Sequence, residues 1–117
     1  MALELEGFTG SEFYFRYTRS MVITDGAAYL AKEGRCYWLL DVIASYLSKI
    51  PATETFAVAV LRKNADSSAV FELVDDIPCR KRYARQVIEY TDFELPEIKL
   101  YVCRNEAGFV AMLTSEY

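Results

Sequence analysis

Arg35-Cys36-Tyr37-Trp38-Leu39-Leu40-Asp41-Val42-Ile43-Ala44-Ser45-Tyr46-Leu47-Ser48-Lys49-Ile50-Pro51 is the stretch that decides the fold. Cys36, Leu40, Ile43, Leu47 and Ile50 recur at spacings of four, three, four and three, which is the period of one helix face. Leu39 and Tyr46 widen that stripe enough to face a core. The spacing predicts a helix from about Arg35 to Lys49. Pro51 stops it, because its ring has no N–H to donate and clashes with the preceding turn.

Beyond Pro51 the period changes from helix to strand. Phe56 to Leu61 is rich in β-formers. Ala69 to Val74 alternates, with Val70, Glu72 and Val74 on one face and Ala69, Phe71 and Leu73 on the other. Arg85 to Tyr90, Ile98 to Cys103 and Phe109 to Leu113 complete five candidate strands. Asn64 to Ser68 and Asn105 to Gly108 read as hairpin loops, and Asp75 to Tyr83, with Pro78, reads as a longer polar connection.

Working back from Arg35, Thr24 or Asp25 is placed to cap a short helix from Gly26 to Glu33, which Gly34 ends. Thr9-x-x-Glu12 matches a capping box and predicts another short helix through Phe13, Tyr14 and Tyr17. The alternation of Phe13, Phe15 and Tyr17 supports an aromatic strand as the competing reading. Helices followed by consecutive strands give an α+β fold. Short N-terminal helices and one longer helix would pack on a four- to five-stranded antiparallel meander sheet, in one domain over residues 1–117.

Composition limits the chemistry. The 117 residues are 53% hydrophobic and 15% aromatic, enough to build a core and too apolar for disorder. No apolar run approaches the length of a membrane span, so a soluble, cytoplasmic protein is expected. Cys36, Cys79 and Cys103 are odd in number and widely spaced, as expected of reduced thiols rather than a disulfide framework. There is no histidine. That removes Ser-His-Asp and Cys-His catalysis and histidine-ligated metals. The net charge of −4 argues against broad electrostatic attraction to nucleic acid.

Four groups of residues could carry function. Tyr37, Trp38 and Asp41 open the long helix, and an aromatic pair beside a carboxylate can grip a base, a peptide or a cation. The plainer reading is that Trp38 packs on the sheet and Asp41 accepts a hydrogen bond from its indole or from a tyrosine. Glu89, Asp92, Glu94 and Glu97 put four carboxylates into ten residues, suiting either a hard cation or a solvated strand edge. Arg80-Lys81-Arg82-Tyr83-Ala84-Arg85 is a basic run that could touch phosphates and stack a base on Tyr83, or simply be a solvated loop. Cys79 lies beside that run. The cassettes Thr24-Asp25-Gly26 and Thr91-Asp92-Phe93 read as structural. Asp25 and Asp92 are expected to bond backbone N–H groups at a helix start and a strand turn. The terminal Thr114-Ser115-Glu116-Tyr117 could tuck back onto the sheet.

In order, Phe8-Thr9-Gly10-Ser11-Glu12, Thr24-Asp25-Gly26, Tyr29-Leu30-Ala31, Tyr37-Trp38-Leu39-Leu40-Asp41-Val42-Ile43-Ala44, Ile88-Glu89-Tyr90-Thr91-Asp92-Phe93 and Ser115-Glu116-Tyr117 resemble a family of small bacterial and phage proteins known only as a domain of unknown function. The resemblance is weakest from Pro51 to Tyr83. Members of that family usually carry His where Phe13 stands, often where Tyr17 stands, and commonly Pro at Glu94 and Thr114. The resemblance implies an intracellular, mobile-element setting and supplies no reaction.

The expectation is therefore a non-enzymatic binding protein without cofactor or metal site. Its partner would be a protein, for instance a host nucleic-acid-binding defence complex that it blocks in the manner of an anti-CRISPR. Tyr37, Trp38, Asp41, Glu89, Asp92, Glu94 and Glu97 would form an acidic and aromatic working surface. The alternatives are a carboxylate enzyme, metal-assisted, using Asp25, Asp41, Asp92 and Glu116, and a small nucleic-acid binder using Arg80 to Arg85.

Overall fold

Seven strands in the order β1-β2-β7-β6-β3-β4-β5 form one mixed sheet, with two helices packed on one of its faces. The computed structural model describes residues 13–106 and 108–117. The chain runs β1 (Tyr14–Arg16), β2 (Met21–Thr24), α1 (Asp25–Glu33), α2 (Tyr37–Tyr46), then β3 (Phe56–Lys63), β4 (Ala69–Val74), β5 (Arg82–Ile88), β6 (Glu97–Asn105) and β7 (Gly108–Leu113). Short 3₁₀ turns follow α2 at Leu47–Lys49 and β7 at Thr114–Glu116.

Five strands follow Pro51 as expected and the fold is α+β, but the strand expected over Arg85 to Tyr90 is Arg82–Ile88, which takes Arg82 and Tyr83 from the expected loop. The expected four- to five-stranded antiparallel meander is corrected to seven strands and a mixed sheet. The first addition is β1, where a short helix was expected. Phe13 to Tyr17 alternate as the competing strand reading had it, and Tyr14, Phe15 and Arg16 pair antiparallel with β2. Thr9, Ser11 and Glu12 lie outside the described residues. The second addition is β2, a four-residue run too short to announce a period. It pairs parallel with β7, Met21 to Phe109 and Ile23 to Ala111, and so joins an early strand to the last one. Met21 and Ile23 on one side of β2 are fully buried.

The decisive stripe lies where its spacing requires. Leu39, Leu40, Ile43, Leu47 and Ile50 are all buried against Ala57, Ala59, Leu61, Phe71, Leu73, Leu100 and Val102. The α-helix itself is shorter than expected, Tyr37–Tyr46, with Leu47–Lys49 tightened to 3₁₀ before Pro51. Helix α1 ends at Gly34, as expected. Gly34 stays right-handed, and Arg35 turns with φ 53°. The N–H of Cys36 then reaches back to the carbonyl of Ala31 at 2.9 Å, closing a Schellman-type end. Gly34 is required for space instead, since a Cβ there would lie 2.6 Å from the Leu30 carbonyl oxygen and 3.1 Å from the Phe93 ring.

The opposite face of the sheet has its own small apolar cluster of Val58, Val60 and Val74, flanked by Phe56 and Tyr101. Among the described residues no helix packs there.

Candidate functional site

Two places collect polar or exposed side chains that packing alone does not demand. The first is the start of α1. Thr24 is its N-cap, with extended backbone (φ −79°, ψ 168°), and its Oγ1 accepts the N–H of Ala27 at 3.1 Å. The same hydroxyl donates to Oε1 of Glu116 at 2.6 Å. Glu116 is buried, and its carboxylate also accepts the N–H of Gly26 at 3.1 Å and the N–H of Leu113 at 2.9 Å. The last turn of the chain thus inserts an anion into the positive end of a helix. Gly26 leaves the room for it, since a Cβ at that position would collide with the Glu116 carboxylate.

This corrects the expected roles within the cassettes. In both, the hydroxyl makes the backbone bond. Thr24 caps Ala27, and buried Thr91 accepts the N–H of Phe93 at 3.1 Å. Neither Asp25 nor Asp92 does the job assigned to it. Oδ1 of Asp25 is buried with no partner among the described residues, and Asp92 is exposed beside Lys32, Arg35 and Glu94. The ring of Phe93 is buried, as a residue with a structural role should be.

At the start of α2, the Tyr17 hydroxyl donates to Oδ1 of Asp41 at 2.6 Å and lies 3.3 Å from the carbonyl of Tyr37. Burial, followed by the hydrogen bond and charge of Asp41, pushes the Tyr17 phenol up to about 12. The partner of Asp41 is thus a tyrosine from the β1–β2 connection, which the sequence could not single out among nine. Trp38 is half-buried against the core, while Tyr37 is exposed.

The acidic residues do not gather on one face. Glu97 pairs with Arg62 at 2.9 Å and Lys99 at 3.5 Å on the side away from the helices. Glu72, on that same side, bridges Arg62 at 3.0 Å and Arg82 at 3.1 Å. Asp92 and Glu94 line a polar hollow of about 310 Å³ with Lys32, Glu33, Gly34 and Arg35. Glu89 is exposed just after β5. Among the described residues no three His, Cys, Asp or Glu side chains are grouped to hold a metal ion. Burial pushes the Cys36 thiol up to about 12 and raises Cys103 as well, so neither is an activated nucleophile. Cys79 is exposed.

The second place is the sheet face that α1 and α2 leave uncovered. Phe56, Tyr101 and Tyr117 form a three-ring cluster with centroids 5.0–5.5 Å apart, and Tyr117 is 76% exposed. The C-terminal turn does tuck back, and its ring completes this cluster. Beside it, Tyr14, Val22, Cys103, Val110 and Met112 line an open apolar groove of about 420 Å³. These are the alternate residues of β1, β2, β6 and β7, pointing away from the helices by the period of two.

Fold and sites together define a small α+β protein with a mixed sheet, helices on one side and an aromatic face on the other. No helix among the described residues is long and apolar enough to cross a membrane. The chain belongs to DUF6876, a family of unknown function, whose model matches residues 1–117. Neither the curated proteins nor the solved structures offer a significant match.

Proposed function

We propose that the protein is a non-enzymatic binding protein whose working surface is the sheet face opposite the helices. The observation that carries this reading is the Phe56–Tyr101–Tyr117 cluster continuing into the Val22–Val110–Met112 groove. Contiguous apolar surface on a monomer marks an interaction site. Rigid aromatic side chains on a sheet supply large contact area at small cost in side-chain entropy, and such residues dominate binding energy in protein interfaces. Arg62 on the same face is held by Glu72 and Glu97, so the charges nearest the apolar surface are oriented. This moves the proposed surface from the Trp38 and Glu89–Glu97 residues to the strands.

The concrete version is a cytoplasmic protein of a bacterium or its phage that occupies a surface of a host complex, such as a nucleic-acid-guided defence machine. The resemblance of the chain motivates that setting, and the net charge of −4 suits a basic surface on the partner.

Photo-crosslinking tests the surface. A photoreactive phenylalanine analogue at Tyr101 or Met112 should trap one and the same host protein, and one at exposed Ser48, on the helix side, should not. Val110→Asp should abolish the crosslink while the fold persists. Trapping only from Tyr37 or Ser48 would assign the function to the helix side instead.

A further inference from the structure

We propose that the outer edge of β5 takes up an extended acidic segment of a partner protein as an additional antiparallel strand. Strand β5, Arg82–Ile88, is the last in the sheet order. Its inner side pairs with β4 from Ala69↔Ile88 to Val74↔Arg82, and among the described residues nothing pairs with its outer side. An edge strand directs alternate N–H and C=O groups outward, a ready template for another chain. With seven residues and no proline, β5 is long enough to use. The opposite edge, β1, has only three residues.

The side chains on this edge select the occupant. Arg82, Arg85 and Val87 stand on the face away from the helices, opposite Val74, Glu72 and Val70. Glu72 is already committed to Arg62 and Arg82. Arg85, Arg80 and Lys81 are exposed and in no ion pair among the described residues. Val87 is 54% exposed. A strand laid beside β5 would meet an arginine and, two residues on, a valine on the same face. The fitting sequence carries a carboxylate and an apolar side chain at alternate positions. The same cations oppose a second copy of this chain, because edge-to-edge pairing would bring arginines together.

Nucleic acid is the rival occupant of a basic run, and the structure weakens it. Stacking a base would need the face of Tyr83. That ring packs against the core, and its hydroxyl is buried. What remains exposed is the backbone ladder with arginines on it, which suits a strand better than a stacked base.

The inference does not depend on the aromatic face, and the test separates them. The probes are a short fluorescent peptide of Glu-Thr-Val-Thr repeats, in which Glu and Val take turns on one face, the same peptide with Lys for Glu, the Glu/Val peptide N-methylated at alternate amides, and oligodeoxythymidine. Anisotropy at low and high salt reads binding, and hydrogen exchange reads protection of residues 82–88. The Glu/Val peptide should bind, weaken with salt and protect β5, whereas the Lys and N-methylated peptides should not bind. Arg85→Glu, which breaks no ion pair among the described residues, should weaken binding about tenfold or more, and Val110→Asp should leave it unchanged. The inference is overturned if the Glu/Val peptide fails to bind or binds equally well when N-methylated. It is also overturned if Val110→Asp rather than Arg85→Glu removes binding, if oligodeoxythymidine binds more tightly, or if the protein dimerises through β5.

Discussion

Replacing Glu116 by alanine tests the bond between the two ends of the fold. The substitution deletes an acceptor that satisfies the Thr24 hydroxyl and the N–H groups of Gly26 and Leu113. All three donors are buried, so their loss is not made good by water. Hydrogen bonds to a charged group contribute about 1.5–3 kcal/mol each, and they do not simply add when they share one acceptor. The favourable position of a carboxylate at the start of α1 contributes about 0.3–1 kcal/mol more. A loss of about 3–5 kcal/mol follows, a large share of the 5–15 kcal/mol typical of a domain. At this size it lowers Tm by roughly 10–20 °C. Glu116→Gln keeps the shape but turns an amide toward the Gly26 N–H, donor against donor, and should cost about 1–3 kcal/mol.

The decisive variant is Gly26→Ala. In the native background its Cβ displaces the carboxylate and destabilises. With Glu116→Ala already present the obstruction is gone, and Ala for Gly inside a helix becomes neutral or stabilising by up to about 1 kcal/mol. Urea unfolding of the four proteins gives the coupling energy, expected above about 2 kcal/mol. Additive effects, or a Tm for Glu116→Ala within about 2 °C of the native value, would refute the argument that this contact secures α1.

Four further outcomes follow from the packing and the shifted groups. Leu40→Ala or Ile43→Ala should cost about 2–5 kcal/mol in urea unfolding, since both side chains are fully buried under the sheet-facing stripe. Spectrophotometric titration should show Tyr17 ionising near 12, as the component of the high-pH absorbance that Tyr17→Phe removes. Because the neutral phenol is the form the fold prefers, its contribution is complete below the ordinary tyrosine range and is lost as pH rises through the shifted value. Asp75 accepts the N–H groups of Lys81 and Arg80, and these hold its carboxyl below the usual aspartate range. That contribution is present above the ordinary aspartate value and is lost as acidification passes the depressed one, which carboxyl NMR of native protein and Asp75→Asn would show. Cys79 should react with a thiol reagent in the native state, whereas buried Cys36 should react only on unfolding.

The legible parts of this chain were those governed by local period. The α2 stripe and the five later strands follow from spacing alone, and Ala69 to Val74 matches β4 at both ends. Strand β2 was not legible, because Met21 to Thr24 is too short to show alternation and its stability comes from β7, some ninety residues later in the chain. Strand β1 was ambiguous for the same reason: three alternating aromatic or basic residues suit either element until β2 is there to pair with them. In the cassettes, hydroxyl and carboxylate are equally good caps on paper. The choice of Thr24 and Thr91 depends on which side chain faces inward, and only tertiary packing fixes that.

The residues that carry the family resemblance explain why membership tells more about fold than about action. Thr24-Asp25-Gly26 and Ser115-Glu116-Tyr117 lie at opposite ends of the sequence, yet they meet at one helix start, where Thr24 caps, Gly26 makes room and Glu116 fills it. Thr91 and Phe93 likewise hold a buried turn, and Tyr37 to Ala44 supply part of the core stripe. Apart from Tyr117, whose ring joins the aromatic face, such motifs specify a scaffold. They leave unassigned the strands between Pro51 and Tyr83, where the resemblance is weakest, and which with β5–β7 build the aromatic face and lead into the basic edge. Recognition built on this face can be retuned without touching the helix start, at a stability cost set by the packing of half-buried Phe56 and Tyr101 on Val58, Val60 and Val74. On this reasoning, exchanging the aromatic-face residues Phe56, Tyr101 and Met112 for other aromatic or apolar residues should change partner choice and lower Tm by less than Glu116→Ala does. Exchanging Glu116 for another residue should lower Tm and leave partner choice, where folding survives, as it was.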